Sequence, residues 1–144
     1  MSAFADWFES QKFRHFSASE FESYFVAQRR GVTNNPPPRR IWKNIVPALR
    51  IVDELREAIG KPCRILSSYR SPGYNKAVGG ASSSQHLEFT ALDIAFDGIS
   101  PQRVYDRLLE WRKAGKFVGG LGLYPSSGFV HIDTRGRNTT WRGR

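Results

Sequence analysis

Apolar positions recur at two different periods along this chain, and the change of period divides it into elements. Ile41, Ile45, Ala48, Leu49, Val52, Leu55 and Ile59 follow a 3.6-residue period with charged residues between them, as in a helix with one buried face. Pro47 lies inside the run and predicts a kink or a late helix start, because proline has no amide hydrogen and clashes with the turn before it. Gly60-Lys61-Pro62 closes the run in the order in which glycine and proline end helices. Upstream, Phe4, Trp7 and Phe8 share helical spacing within Ala3 to Phe13. Ser17 with Glu20 reads as a capping box, stapled by Phe16 and Phe21, and predicts a second helix reaching about Arg30 and stopping at Gly31. Asn34 to Pro38 is an extended connection, since a residue before proline is pushed out of the helical region.

Beyond Pro62 the period shortens. Arg64 to Tyr69 reads as a strand, and Ser71-Pro72 as the cap of a short helical turn that Gly79-Gly80 ends. Ala81 to Ser84 is a loop of small residues. Thr90 to Phe96 alternates, with Ala91, Asp93 and Ala95 on one face. Ser100-Pro101 starts a helix through Trp111, with Val104, Leu108 and Trp111 on its core side. Gly119 to Tyr124 and Phe129 to Thr134 form a predicted hairpin across Pro125-Ser126-Ser127-Gly128. The order predicts an α+β fold, a mainly antiparallel sheet with flanking helices. The expectation is one domain over residues 1–144, with 1–40 as a helical segment packed on it. Asn34 to Pro38 is short for a linker, and the segment before it is too small for a core of its own.

Composition narrows the function classes. Hydrophobic residues at 40% and aromatics at 13% suffice for a packed core. No run of about 18 apolar residues exists, so no membrane span is expected. Met1 to Lys12 carries two acids and no basic residue before its apolar positions, unlike a secretory signal. The reading is a protein made in the cytoplasm. Cys63 is the one cysteine, which excludes an intrachain disulfide, and its apolar surroundings suggest a buried thiol. The net charge of +9 favours anionic partners: nucleic acid, a membrane surface or a cell-wall polymer. Its basic residues are dispersed, denser at Arg29-Arg30, Arg39-Arg40 and the tail from Arg135. No helix-turn-helix or aromatic-basic motif supports nucleic acid.

The chain has three histidines, His15, His86 and His131. His86 stands on a loop seven residues before Asp93, and His131 on a predicted hairpin strand. Two imidazoles and a carboxylate form a common catalytic zinc set with a fourth position open. Such a trio is also ordinary in a chain of this length, where core histidines are often simply hydrogen-bonded. His15, in the N-terminal segment, reads as structural or exposed.

Ser67-Ser68-Tyr69-Arg70-Ser71-Pro72 resembles the S-x-Y-R-S segment of peptidase family M15. Ser84-x-His86 followed by Ala91-x-Asp93 resembles that family's S-x-H-x-x-G-x-A-x-D motif. Gly120-Leu121-Gly122-Leu123-Tyr124-Pro125 and Phe129-Val130-His131-Ile132-Asp133 resemble its G-x-G-x-Y-P and F-V-H-x-D blocks, and Trp141 falls where a tryptophan is common. The resemblance runs in order from about Ile41 to Trp141. It implies the fold shared by D-alanyl-D-alanine peptidases and the Hedgehog signalling domain, with zinc held by His86, Asp93 and His131. It also implies hydrolysis of peptidoglycan peptides, as a D-Ala-D-Ala carboxypeptidase or an endopeptidase, by a monomer acting on the cell wall. A phage lysin or tail component is one expected setting. Arg70 would hold a substrate carboxylate or a developing oxyanion, with Ser84 and Tyr69 beside it on the substrate. Some family members carry a carboxylate where Gly128 stands, so Asp133 is expected to take the water proton or else to orient a ligand. Glu88 is the other nearby carboxylate. Phe89 replaces the family's glycine between the first two ligands. A non-catalytic wall-binding module that keeps the fold is the alternative reading.

Overall fold

The computed structural model describes residues 2–144; Met1, the first position of the N-terminal stretch read above, lies outside the described residues. Two short helices open the chain, α1 (Ala3–Ser10) and α2 (Ala18–Phe25). The Ser2 hydroxyl accepts from the Ala5 amide to cap α1, and the capping box of Ser17 and Glu20 starts α2. The second helix ends at Phe25, short of the expected Arg30. Gln28–Arg29 (β1) and Val32–Thr33 (β2) pair as a minimal antiparallel ribbon around Arg30 and Gly31, both at positive φ. Asn34 explains the early stop. Its buried amide donates to the carbonyls of Tyr24 and Tyr69 and accepts from the Ser71 amide, tying this ribbon to the connection at residues 69–71.

The apolar run from Ile41 is carried by two helices in series. A 3-10 helix, Arg39–Ile45, leads into α3 (Val46–Ile59), with Pro47 in the first turn. Proline is accommodated there because the first amides of a helix have no partner to lose. Gly60 then ends α3 in the left-handed region at φ 74°. The late start is therefore the one of the two expected outcomes that occurs.

The main sheet contains β3 (Cys63–Ser67), β4 (Ala91–Phe96), β5 (Gly120–Tyr124), β6 (Phe129–Asp133) and β7 (Thr139–Arg142). Their spatial order is β3-β4-β6-β5-β7, antiparallel throughout except for the parallel β5–β7 pair. With the helices α4 (Pro72–Ala77) and α5 (Pro101–Lys113), the fold is α+β. All six β4 residues are buried rather than every second one, because this strand lies inside the sheet with both faces covered. A single cluster of buried side chains joins Phe4, Phe8, Phe21 and Phe25 of the opening helices to Leu49, Val52 and Leu55 of α3 and to Leu92, Leu108 and Ile132.

Phe89 sits at the hub of the aromatic part of this cluster. Its backbone is left-handed (φ 58°, ψ 39°) and its side chain is fully buried. Its ring lies 6.1–6.4 Å from those of Phe4, Phe21, Phe25 and Tyr69. The left-handed backbone costs a residue with a Cβ about 1–2 kcal/mol. Burying a phenylalanine side chain returns about 1.5–3 kcal/mol. Packing thus holds phenylalanine in a conformation natural to glycine, and the loop after His86 keeps its sharp turn.

Candidate metal centre

The first site residue is placed by a short 3-10 helix, Gln85–Glu88, whose cap is Ser84; its hydroxyl accepts from the His86 amide. The Arg70 amide donates to the His86 carbonyl, so the segment that follows β3 grips this turn. His86 Nδ1 lies 2.6 Å from the Ser68 carbonyl. A carbonyl only accepts, so Nδ1 carries the proton and Nε2 is left as a bare donor of electrons. The other two residues come from the sheet. Asp93 on β4 is the direct cross-strand partner of His131 on β6, which brings their side chains together on one face. His131 Nδ1 stands 3.0 Å from Asp93 Oδ1, and His86 Nε2 stands 3.2 Å from Asp93 Oδ2.

The ligating atoms of His86, Asp93 and His131 all lie within 4.8 Å of one another, and all three residues are buried. His86 Nε2 is a buried nitrogen with no aligned hydrogen bond. Such an atom is costly unless something binds it. Two imidazole nitrogens and a carboxylate converging on one point are the donor set of an open zinc site, and the residues fit that ion. Burial pushes the Asp93 pKa up, but the adjacent His86 and His131 imidazoles, when protonated toward it, hold it well below the usual carboxylate range. Burial alone would lower the His131 pKa. Hydrogen bonds to Asp133 and Asp93, with the charges of both, outweigh it and raise the pKa above that of ordinary histidine.

Asp133 stands behind the cluster rather than in it. Its Oδ2 meets His131 Nε2 at 2.8 Å, on the side of the ring away from Asp93. The rest of the carboxylate is taken up by the Arg135 guanidinium and by the amides of Gly120 and Arg135. Burial pushes its pKa up, but hydrogen bonds from His131, Arg135 and Gly120 hold it far below the usual range. A Cβ on Gly120 would meet Asp133 Oδ2 at 2.5 Å, and one on Gly122 would meet the Trp141 ring at 2.5 Å. These close approaches are why β5 needs glycines.

A cleft of about 450 Å³ opens over His86, Asp93 and His131. Arg70 enters it with 16% of its side chain exposed, one nitrogen 3.5 Å from Asp93 Oδ2 and another held by Asn75 Oδ1. Tyr124, Phe129 and Trp141 add an aromatic lining. Tyr124 and Phe129 stack at 4.5 Å, Trp141 Nε1 donates to the Tyr124 hydroxyl, and the Trp141 ring lies 5.0 Å from that of His131. A family model described as peptidase M15 matches residues 14–133. The chain belongs to the peptidase M15 family. Among relatives, the chain is similar to peptidoglycan L,D-endopeptidase MepK of Escherichia coli, 37% identical over 79 residues. That match covers 51% of this chain and 41% of the relative. A probable peptidoglycan L,D-endopeptidase MepK of Haemophilus influenzae is 32% identical over 84 residues, covering 55% of this chain and 42% of that protein. The chain thus spans about two fifths of the length of these curated relatives. No solved structure matches it.

In this member of the M15 family the structure brings together four of the expected site residues, His86, Asp93, His131 and Arg70, with Ser84 at the cleft edge. It does not bring Tyr69 there. The Tyr69 ring is buried against Phe89, so the expected substrate contact is corrected to a core position. Asp133, expected first as proton acceptor, is buried and fully engaged behind His131. Glu88 is exposed and does not line the cleft, and Asp93 is the only carboxylate that does, among the described residues. His15 pairs with Glu57 outside the cleft, at 2.5 Å. Burial pushes the Cys63 thiol up to about 12, as expected of an inert core cysteine. Arg135 and β7 escaped the sequence reading. The tail has one apolar anchor, Trp141, too little to give a period, and its pairing partner β5 lies far away in sequence.

Proposed function

We propose that this M15 peptidase is a zinc-dependent endopeptidase acting on the peptide part of peptidoglycan, with His86, Asp93 and His131 as the zinc ligands. The convergence of His86 Nε2, Asp93 and His131 Nδ1 at the floor of an open cleft carries this reading. The relatives named peptidoglycan L,D-endopeptidases support the substrate class. The Hedgehog/DD-peptidase fold, a single domain and a monomeric state belong to the same proposal; the continuous core of residues 4–132 supports the single domain. The wall is its place of action, and the +9 charge suits an anionic polymer.

Zinc bound there supplies Lewis acidity toward a peptide carbonyl and activates water near neutral pH. The protein's own groups do the rest. Ser68 and Asp133 fix the two imidazoles from behind, so that the ring nitrogens facing Asp93 stay aimed at one point. Arg70 presents a guanidinium beside the reacting carbonyl, where it stabilises negative charge or holds a substrate carboxylate. The aromatic wall of Tyr124, Phe129 and Trp141 excludes water from one side. A second reading, a wall-binding module without turnover, is favoured by one observation: among the described residues no carboxylate but Asp93 lines the cleft.

Metal analysis of the purified protein, joined to mass spectrometry of fragments from defined muropeptides, tests this reading. One zinc per chain and new peptide termini are expected. Arg70→Ala should keep its zinc and lose turnover, and Arg70→Lys should recover little, because lysine lacks the planar fork. Zinc with no cleavage would leave the binding module.

A further inference from the structure

The cleft does not end at the cluster. Arg70, Val78, Asp93 and Phe129 also line a second cavity of about 400 Å³, so the two cavities adjoin, as two limbs that share Asp93 in their walls. The second limb is walled by Tyr24 of α2, Arg29 of β1, Leu66 and Ser67 of β3, and Tyr74 of α4. Its polar lining is ordered. Ser67 Oγ donates to the Tyr24 hydroxyl at 2.9 Å, and the Tyr24 and Tyr74 rings meet edge to face at 5.8 Å. Two cavities that adjoin at Asp93 offer room for chain on both sides of a bond held over the cluster.

The charge of this limb is one-sided. Arg29 is exposed and makes no ion pair among the described residues. Arg70 lines both cavities, and its partner Asp93 is the only carboxylate in the lining of this limb. Burial raises the pKa of the Tyr74 hydroxyl and the charges of Arg29 and Arg70 act in the opposite sense, and all three side chains line this limb. Two guanidinium groups and two phenols, with one carboxylate already engaged, suit an anionic ligand with further hydrogen-bond acceptors. Leu66, 37% exposed, adds an apolar contact at the rim.

We propose that this second limb is a substrate subsite for an acidic peptide segment, in which Arg29 reads a free carboxylate on the far side of the scissile bond. The proposal rests on the peptidase reading above and makes the N-terminal segment part of the substrate site. Two synthetic stem peptides test it, identical except that the carboxylates flanking the scissile bond are free in one and carboxamides in the other. The zinc-loaded protein is compared with Arg29→Gln and Arg29→Lys, reading kcat/KM for each peptide and calorimetric binding of each. The preference for the free carboxylate should fall about 5- to 10-fold in Arg29→Gln, mainly through KM, and return in part in Arg29→Lys. Arg29 lies on the surface, so equal thermal midpoints and zinc contents are the control for folding. An unchanged preference in Arg29→Gln overturns the subsite while leaving the peptidase reading standing. A wild-type protein that cleaves neither peptide overturns the peptidase reading instead. In that case, loss of carboxylate-dependent binding in Arg29→Gln still supports the anion site, and its persistence overturns it.

Discussion

Phe89 shows how a single residue trades backbone comfort for packing. Its φ of 58° is the angle at which glycine is normally chosen, yet its ring fills the contact between the opening helices and the turn that carries His86. Removing a buried phenylalanine side chain costs about 3–5 kcal/mol, and relief of the left-handed strain returns about 1–2 kcal/mol. Phe89→Gly should therefore destabilise the protein by about 1–4 kcal/mol, although glycine is the residue that the family pattern favours. Urea unfolding measures this, and a midpoint unchanged or raised would show that strain outweighs packing. The same residue explains Tyr69. The sequence places it next to Arg70 in a substrate-facing motif, but alternation along an extended segment sends neighbours to opposite sides. Arg70 faces the cleft, and the Tyr69 ring meets Phe89 in the core.

At the scale of elements, the pairing of β4, β6 and β5 builds the site. Register sets Asp93 against His131, and β6 carries His131 and Asp133 two residues apart. Two-residue spacing puts both on one side of the strand, which by itself allows Asp133 to act on water or on the histidine. The turn after β6 decides between them, because Arg135 folds back onto Asp133 and leaves its carboxylate no free oxygen toward the cleft. Asp133→Asn should thus weaken zinc binding by about 10- to 100-fold. Activity should be restored when zinc is supplied in excess. A loss of about 10²- to 10⁴-fold that persists at saturating zinc would instead return Asp133 to the role of base. Gly120→Ala should move zinc affinity in the same direction, since the added methyl displaces the Asp133 carboxylate. Zinc titrations on both variants, with turnover measured alongside, check the pair.

For the whole molecule, the candidate site is held between a loop and two strands, so an ion bound there ties together segments far apart in sequence. A ligand that binds only the folded chain stabilises it by about 2.7 kcal/mol at a hundredfold excess over its dissociation constant. For a chain of this size that corresponds to an upward shift of roughly 5–10 °C in Tm. Thermal unfolding with zinc and with a chelator should show this difference, and His86→Ala should abolish it. An equal shift in His86→Ala would mean that zinc binds elsewhere. The opening helices belong to the same unit, because Phe4, Phe21 and Phe25 pack on Phe89 directly behind the His86 turn.

The sequence alone determined the period and caps of α3, α5 and the β5–β6 hairpin, since these depend on local spacing, proline and glycine placement and short-range burial. It also marked His86, Asp93 and His131 as a set, because their residue types and motifs are local. What those residues face was decided by tertiary structure. The left-handed Phe89 depends on helices more than sixty residues away, and the core position of Tyr69 depends on Phe89. The end of α2 at Phe25 depends on Asn34 reaching Tyr69 and Ser71. The engagement of Asp133 depends on Arg135 and on the close approach of Gly120, and β7 on pairing with β5. Periodicity reports which side of an element is buried. It carries no information about which distant side chain completes a hydrogen bond, and that completion separates a carboxylate free to take a proton from one that holds a histidine in place.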